Sequence, residues 1–296
     1  MAEPQGNREH KDRLFLKVFE DREALLSLYN AVNGSDYENP EELEITTLDN
    51  VLYMRMKNDL SFLIDGSLNF YEHQSTFNPN MPLRGCFYMV KVYQEYVERR
   101  QLDIYSSTRL TLPTPRFIVF YNGTDRMKHM PELTLKLSDS FEKQEEEPAL
   151  ECKARVININ YGFNTEIMEK CPKLYEYSFL ISKIREGTAQ GKKLEAAIGA
   201  AIDICIEEGI LTDLLTSYRM EVIGMLLTEY DEERHLKNTY EEGVKKGQKK
   251  GESIGEFRQL YKLIQKNFLT LHDAASANSM TEEQLMAAFK KYGITK

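Results

Sequence analysis

The sequence lacks several features that would assign it to a well-defined class. It has no tryptophan and only four cysteines in 296 residues, and no two cysteines form a CxxC pair or lie at zinc-ligand spacing from histidines. Neither a disulfide framework nor a structural zinc site is therefore expected. No run of about 18 apolar residues occurs, and the N-terminus is polar, so we expect a soluble, cytoplasmic protein without a membrane partner.

Basic residues are outnumbered, with 38 Lys and Arg against 47 Asp and Glu and a net charge of −9. A protein coats nucleic acid or an anionic membrane through bulk charge only when its surface is basic, so this mode of binding is excluded. Glycine-rich phosphate loops and nucleophile elbows are absent as well. Any phosphate binding must therefore be local.

Apolar residues recur with two different periods along the first 235 residues. Helical spacing is seen over 14–33, 83–97 and 164–234, whereas short runs rich in β-branched and aromatic residues predict strands. The predicted strands are 43–48, 50–56, 59–64, 68–74, 116–121 and 150–160. The nearly continuous apolar run 116–121 is typical of a strand buried on both faces. We therefore expect an α/β fold with a mixed central sheet flanked by helices.

The C-terminal sixty residues have a different pattern. Gly243, Gly247, Gly251 and Gly255 recur every fourth residue, and each glycine weakens a helix by about 1 kcal/mol relative to alanine. These residues predict a flexible or conditionally helical connector. The expected organisation is a domain over 1–190, a helical extension over 191–235, the connector over 236–256 and a small helical segment over 257–296.

Two features of this tail are weighed as nucleic-acid contacts. Thr270 is placed to cap a helix over 271–277, and Thr281 with Gln284 forms a capping-box pattern that opens another. Their spacing permits a helix-turn-helix, but without an evident basic recognition face we favour packing or oligomerisation over DNA reading. A compact basic run is flanked by glutamates, so a solvated face explains it better than phosphate binding. The run consists of Lys245, Lys246, Lys249 and Lys250.

Asp65-Gly66 lies between two runs of β-prone residues and predicts a two-residue hairpin turn. A type I′ turn needs positive φ at both central positions, which this dipeptide tolerates. With that turn Ile64 faces Ser67, and counting back along the two strands places Asp59 directly opposite Glu72. The hairpin thus pairs two carboxylates.

The Asp59 and Glu72 Cβ atoms are expected to lie about 5 Å apart. Two such charges repel by about 3 kcal/mol at an effective dielectric constant of 20. A good cross-strand pair stabilises a sheet by only about 0.2–1 kcal/mol, so it does not offset this repulsion. A buried pair needs a shared proton, a neighbouring cation or a divalent metal, and Mg²⁺ suits oxygen ligands. In the alternative interpretation both acids lie at a wet hairpin base. Gln74 projects to the same face as Glu72, and His73 to the other.

The same residues carry a resemblance to a known superfamily. Asp59, followed after twelve residues by Glu72-x-Gln74, is similar to the PD-(D/E)XK nuclease core. Longer strings resemble its recombination-promoting nuclease (Rpn) branch, which occurs in bacterial and mobile-element proteins. These strings are YEHQST at 71–76, PNMPLR at 79–84 and PRFIVFYNGT at 115–124. The resemblance spans about residues 10–190. Gln74 stands where the wider superfamily has Lys, as in the Rpn branch itself, and Asn58 stands where the superfamily has Pro.

The resemblance implies a metal-dependent DNA endonuclease linked to recombination or mobile elements. Asp59 and Glu72 would bind Mg²⁺, with Mn²⁺ as a substitute, and the backbone carbonyl of His73 would be a third ligand. Gln74 would position a water molecule, although a neutral amide supplies no positive charge. Arg84 is a candidate phosphate contact, with a surface salt bridge as an equally weighted alternative.

Further candidates are less well determined by the sequence. The superfamily often has an auxiliary acid in the N-terminal helix, where Asp12, Lys17 and Glu20 lie. The sequence does not choose among them, and a solvated helix face is favoured for each. Tyr121 and Asn122 end a predicted buried strand and are placed to border the site, but a strand-terminating turn explains Asn122 equally well.

Two other functional classes compete with the nuclease hypothesis. One is a non-catalytic DNA-binding or protein-interaction protein that retains the nuclease fold. The other is an oligomerisation module in which residues 236–296 drive homo-oligomer formation. Metal binding and mass in solution distinguish these classes.

Overall fold

The computed structural model describes residues 13–46, 59–124, 126–127 and 129–294, with only the backbone at 13, 59, 232–242 and 249–250. The chain forms two compact units, Met1–Glu233 and Arg234–Lys296. Each unit has its own apolar core. No helix within the described residues is both long and apolar enough to cross a membrane.

The first unit is an α/β structure with a six-stranded mixed sheet, which confirms the expected fold class. The strands are β1 (Glu44–Ile45), β2 (Asp59–Ile64), β3 (Ser67–Gln74), β4 (Thr114–Tyr121), β5 (Glu132–Lys136) and β6 (Lys153–Asn158). Their order is β1-β2-β3-β4-β6-β5. Strands β3, β4 and β6 are parallel, and the remaining neighbours pair antiparallel.

Helices cover both faces of this sheet. They are α1 (Arg13–Val18), α2 (Arg22–Asn33), α3 (Met81–Arg99), α4 (Thr165–Lys170), α5 (Pro172–Ala189), α6 (Leu194–Glu207) and α7 (Thr212–Ser217), followed by α8 (Arg219–Gln265). Tyr71 and Phe120 belong to the core formed with α1, α2 and α5. Phe70 and Val119, one residue away on the same strands, belong to the core formed with α3. The central strands therefore have two buried faces, which is why β4 is continuously apolar over residues 117–121.

The β2–β3 hairpin has the predicted turn and register. Asp65 and Gly66 both have positive φ, 45° and 67°. Ile64 pairs with Ser67, and the ladder continues to Asp59 opposite Glu72. The predicted pairing of the two acidic positions is therefore confirmed.

Some predicted elements differ from the observed ones. Strand β5 was not predicted, because this edge strand combines alternating exposure with a charged residue at each end, Glu132 and Lys136. The strand predicted over 43–48 is reduced to Glu44–Ile45 within the described residues. The strand predicted over 50–56 lies outside the described residues.

The second unit contains the C-terminal part of α8 with α9 (Leu271–Ala277) and α10 (Glu282–Lys291). The Thr270 hydroxyl accepts a hydrogen bond from the Asp273 backbone N–H, and Thr281 forms a capping box with Gln284, as predicted. The connector over 236–256 is helical throughout. Within the part of the chain that the structure describes, nothing lies within 4 Å of a Cβ added at Gly243, Gly247, Gly251 or Gly255.

We predict that Gly247→Ala stabilises this part of α8. Alanine gains about 1 kcal/mol over glycine in a helix, so amides around residue 247 should exchange with deuterium about fivefold more slowly. Hydrogen exchange of the full chain measures the effect. Faster exchange, together with a lower mass in solution, would instead indicate that a second copy packs against this glycine row and that the predicted homo-oligomer forms there.

Candidate metal and phosphodiester site

The predicted site residues lie along the edge of the sheet that is formed by the carboxyl ends of its parallel strands. The parallel strands β3, β4 and β6 end at Gln74, Tyr121 and Asn158, and the antiparallel β2 begins there at Asp59. In open α/β sheets, ligands bind outside the carboxyl ends of the parallel strands. The described backbone thus brings Asp59, Glu72 and Gln74 to the edge of the sheet where such a site is expected.

Asp59 and Glu72 form a non-hydrogen-bonded antiparallel pair, the kind in which the two Cα atoms lie closer together. The Ser61 carbonyl accepts a hydrogen bond from the Thr46 N–H on the β1 side at 2.8 Å. Because peptide groups alternate in direction along a strand, those of Asp59, two residues earlier, are also directed away from β3. Such non-hydrogen-bonded pairs have Cα atoms about 4.5 Å apart, rather than about 5.5 Å.

Glu72 is the centre of the contacts at this edge. Its side chain is only 4% exposed, and its Oε1 atom lies 2.8 Å from an Arg84 guanidinium nitrogen. The same oxygen accepts a hydrogen bond from Gln74 Nε2 at 3.0 Å. A buried carboxylate requires a counter-charge, and Arg84 supplies it here. The surface salt bridge considered for Arg84 is therefore an ion pair with the predicted metal ligand itself.

The reach of Arg84 depends on how closely α3 approaches the sheet. Gly85 follows Arg84 in the first turns of α3, and a Cβ added there would lie 2.3 Å from a ring carbon of Phe117 on β4. Met81 opens α3 and its Sδ contacts both Gln74 Nε2, at 2.7 Å, and an Arg84 nitrogen, at 3.5 Å. Only a residue without a side chain at position 85 permits this approach, so glycine there positions Arg84.

The His73 side chain lies on the opposite face from Glu72, as predicted. Its Nε2 lies 3.0 Å from the Tyr177 hydroxyl, and its ring stacks on Phe15 with centroids 4.8 Å apart. The Gln74 carbonyl accepts a hydrogen bond from the N–H of Asn122, the residue after β4, at 3.0 Å. Since peptide groups alternate, the His73 carbonyl is directed to the β2 side, where Asp59 lies. Its proposed role as a backbone ligand is compatible with this direction.

A polar network behind the site was not predicted from the sequence. Asn122 Nδ2 donates to the Tyr177 hydroxyl at 3.2 Å, and the Asn122 carbonyl accepts from Arg185. Arg185 also donates to Asn160 Oδ1 at 2.5 Å. Gly123 permits this turn, because an added Cβ would lie 2.2 Å from the Ser75 carbonyl oxygen. The sequence Asn122-Gly123 did indicate a turn. Nothing in the sequence indicated that Arg185, in a helix 63 residues later, would contact it.

The candidates of the N-terminal helix are not brought into a cluster. Lys17 and Glu20 form an ion pair with each other at 2.9 Å. Asp12 lies outside the described residues. The recorded contacts of Lys17 and Glu20 are with each other and, for Lys17, with the Tyr218 ring.

The buried nucleophile candidates are neutral groups. Burial raises the pKa of the Cys152 thiol to about 11 and that of the Cys205 thiol to about 12. Burial also raises the pKa of the Tyr71 phenol far above its usual range. A thiolate or phenolate is the reactive form, so burial disfavours the reactive form of all three groups near neutral pH. The described side chains, which do not include that of Asp59, contain no cluster of three His, Cys, Asp or Glu in a metal-binding arrangement.

Comparison with protein-family models, with curated proteins and with solved structures finds no match.

We predict that Gly85→Ala destabilises the first unit by about 1–3 kcal/mol, because the added methyl group overlaps the Phe117 ring. Urea unfolding measures the loss. Gly199→Ala is the matched control, since a Cβ at this glycine of α6 meets nothing within 4 Å among the described residues. It should stabilise by about 1 kcal/mol. Equal effects of the two substitutions would contradict the close approach of α3.

Proposed function

We propose that this protein is a divalent-metal-dependent endonuclease of PD-(D/E)XK type that hydrolyses phosphodiester bonds in DNA. One observation carries the proposal: Asp59 and Glu72 are opposite residues at the edge where the parallel strands end. The contacts of Gln74 and Arg84 with the Glu72 carboxylate add to it. The Rpn resemblance links such an activity to recombination or mobile elements.

The donor atoms suit a hard divalent cation. The carboxylates of Asp59 and Glu72 and the carbonyl of His73 are oxygen ligands, which Mg²⁺ and Mn²⁺ prefer. A cation bound by them would lower the pKa of a bound water and stabilise negative charge on the scissile phosphate. Gln74 would orient that water, because its amide nitrogen donates to Glu72 while its oxygen accepts no hydrogen bond from the residues that the structure describes.

Arg84 has two successive roles in this proposal. Its guanidinium neutralises Glu72 in the cation-free protein. If Glu72 were to bind a cation, Arg84 would be free to contact a phosphate oxygen of the DNA, which a guanidinium binds in a bidentate manner. The side chain is about one-third exposed and so can reach a ligand outside the sheet edge. Arg84 thereby provides a positive charge that Gln74 cannot.

We predict that Asp59→Ala abolishes Mg²⁺-dependent nicking of supercoiled DNA, because one of two carboxylate ligands is lost. The midpoint of thermal unfolding should not fall, since removing one of two facing charges relieves repulsion in the cation-free protein. The exposed Asp139 is the matched control: Asp139→Ala should nick DNA like the wild type. Unchanged nicking by the Asp59 variant would refute the assignment.

We predict that Arg84→Gln tightens Mn²⁺ binding about three- to tenfold while slowing DNA nicking. The guanidinium and the cation compete for one carboxylate, and a charged hydrogen bond is worth about 1.5–3 kcal/mol before discounting for partial exposure. Calorimetric titration measures the affinity. Arg99→Gln is the control, because Arg99 pairs with Glu95 on the same helix.

The same titration separates the nuclease proposal from its rival. Glu72→Gln should remove the binding heat. No Mn²⁺ binding by the wild type would favour a non-catalytic protein that retains the fold. Equal affinities of the Arg84 and Arg99 variants would contradict only the competition between Arg84 and the cation.

A further inference from the structure

The two compact units carry opposite net charges. Residues 234–296 contain 12 Lys and Arg against 7 Asp and Glu, a net charge of +5, whereas residues 1–233 contain 26 against 40, a net charge of −14. The overall charge of −9 hides this separation. A unit at −14 repels DNA, so the proposed site needs an attractive surface elsewhere in the chain.

Basic side chains of the first unit are repeatedly neutralised by neighbouring acids. Examples are Arg22 with Glu41 at 3.0 Å and Arg155 with Glu132 at 2.6 Å. In the second unit, two acids contact side chains other than lysine and arginine: Asp273 accepts a hydrogen bond from the Thr270 hydroxyl, and Glu282 lies 3.2 Å from His272 Nδ1.

Arg258 and Lys262 on α8, with Lys266 directly after the helix end, form an exposed row, here called the basic row. The Lys266 N–H still bonds the Lys262 carbonyl, at 3.1 Å. They recur every fourth residue, so they lie on one side of the helix over about 12 Å. None of the three forms an ion pair with any residue that the structure describes. The other side of the same turns is apolar and packs against the small core of the unit. Its residues are Phe257, Leu260, Tyr261 and Ile264.

We infer that the basic row is a binding surface for the phosphate backbone of duplex DNA. A duplex presents one negative charge per 1.7 Å of its axis, or about seven over the length of the row. Three cations spaced one helical turn apart, without ion-pair partners among the described residues, match such a repeated anion without reading bases. Binding of this kind is weak, sequence-independent and sensitive to salt. It increases the local concentration of DNA around the acidic first unit.

Helix α10 is not the surface proposed. In a helix-turn-helix the second helix contacts bases through its N-terminal residues. The first turn of α10 carries Glu282 and Glu283, and its basic residues, Lys290 and Lys291, lie in the last turn. Two acids at that end repel phosphate, so the basic row is favoured over base reading by α10.

The test is the salt dependence of binding to a fluorescent 25-base-pair duplex by the full chain in EDTA. Replacing all three residues of the basic row with glutamine should reduce the steepness of log K against log salt by about 2.7, because each lost phosphate contact removes about 0.9. Between 50 and 200 mM NaCl the wild-type affinity should then fall about 40-fold further than that of the triple variant. The conservative variant Arg258→Lys should keep the wild-type slope.

A charge-matched control decides between the row and net charge. Lys143, Lys192 and Lys193 are exposed residues of the first unit, and replacing them with glutamine changes the charge equally. Equal slopes for both triple variants would overturn the proposal, as would tighter binding to phosphatidylserine vesicles than to the duplex. The inference rests on the proposed function only for the choice of DNA. The binding assay contains no metal, so it is independent of nicking. If the protein binds DNA through the basic row but does not nick DNA in Mg²⁺, only the nuclease proposal is refuted.

Discussion

Burial of the Glu72 carboxylate at the end of β3 is the constraint on which the candidate site depends. A carboxylate that is 4% exposed needs a counter-charge, and in the cation-free protein it receives one from Arg84. That contact in turn requires α3 to lie close to β4, which Gly85 permits against the Phe117 ring. A divalent cation at Glu72 and Asp59 would satisfy the same electrostatic requirement, so the arrangement accommodates either partner.

The charge of the whole chain is a poor guide to its surface. The net charge of −9 excludes coating of DNA by bulk charge, and that exclusion holds for the first unit at −14. The second unit, at +5, has the basic row, without acidic partners among the described residues. Phosphate attraction and the proposed chemistry are thus assigned to different units, which allows each to be tested by substitution without changing the other.

Local patterns predicted much of the first unit because the signals lay within a few residues of one another. Asp65-Gly66 determined the turn, and the turn determined that Asp59 faces Glu72. The capping residues Thr270 and Thr281 were likewise readable, since a cap is a contact over three residues. Strand β5 was missed because an edge strand exposes alternate residues and lacks the apolar run of a central strand. The helical state of residues 236–256 was left open because glycine opposes it locally.

The sequence by itself determined the fold class, the hairpin register and the two facing carboxylate positions, because periodicity and turn geometry act over short distances. The tertiary structure decided the partner of Arg84, which the sequence left between a phosphate and a surface acid. It also decided that Arg185 on α5 holds the Asn122 turn, 63 residues away in the chain. Such contacts depend on how helices pack on the sheet, and packing is set by the shapes of many residues at once, so no local pattern encodes it.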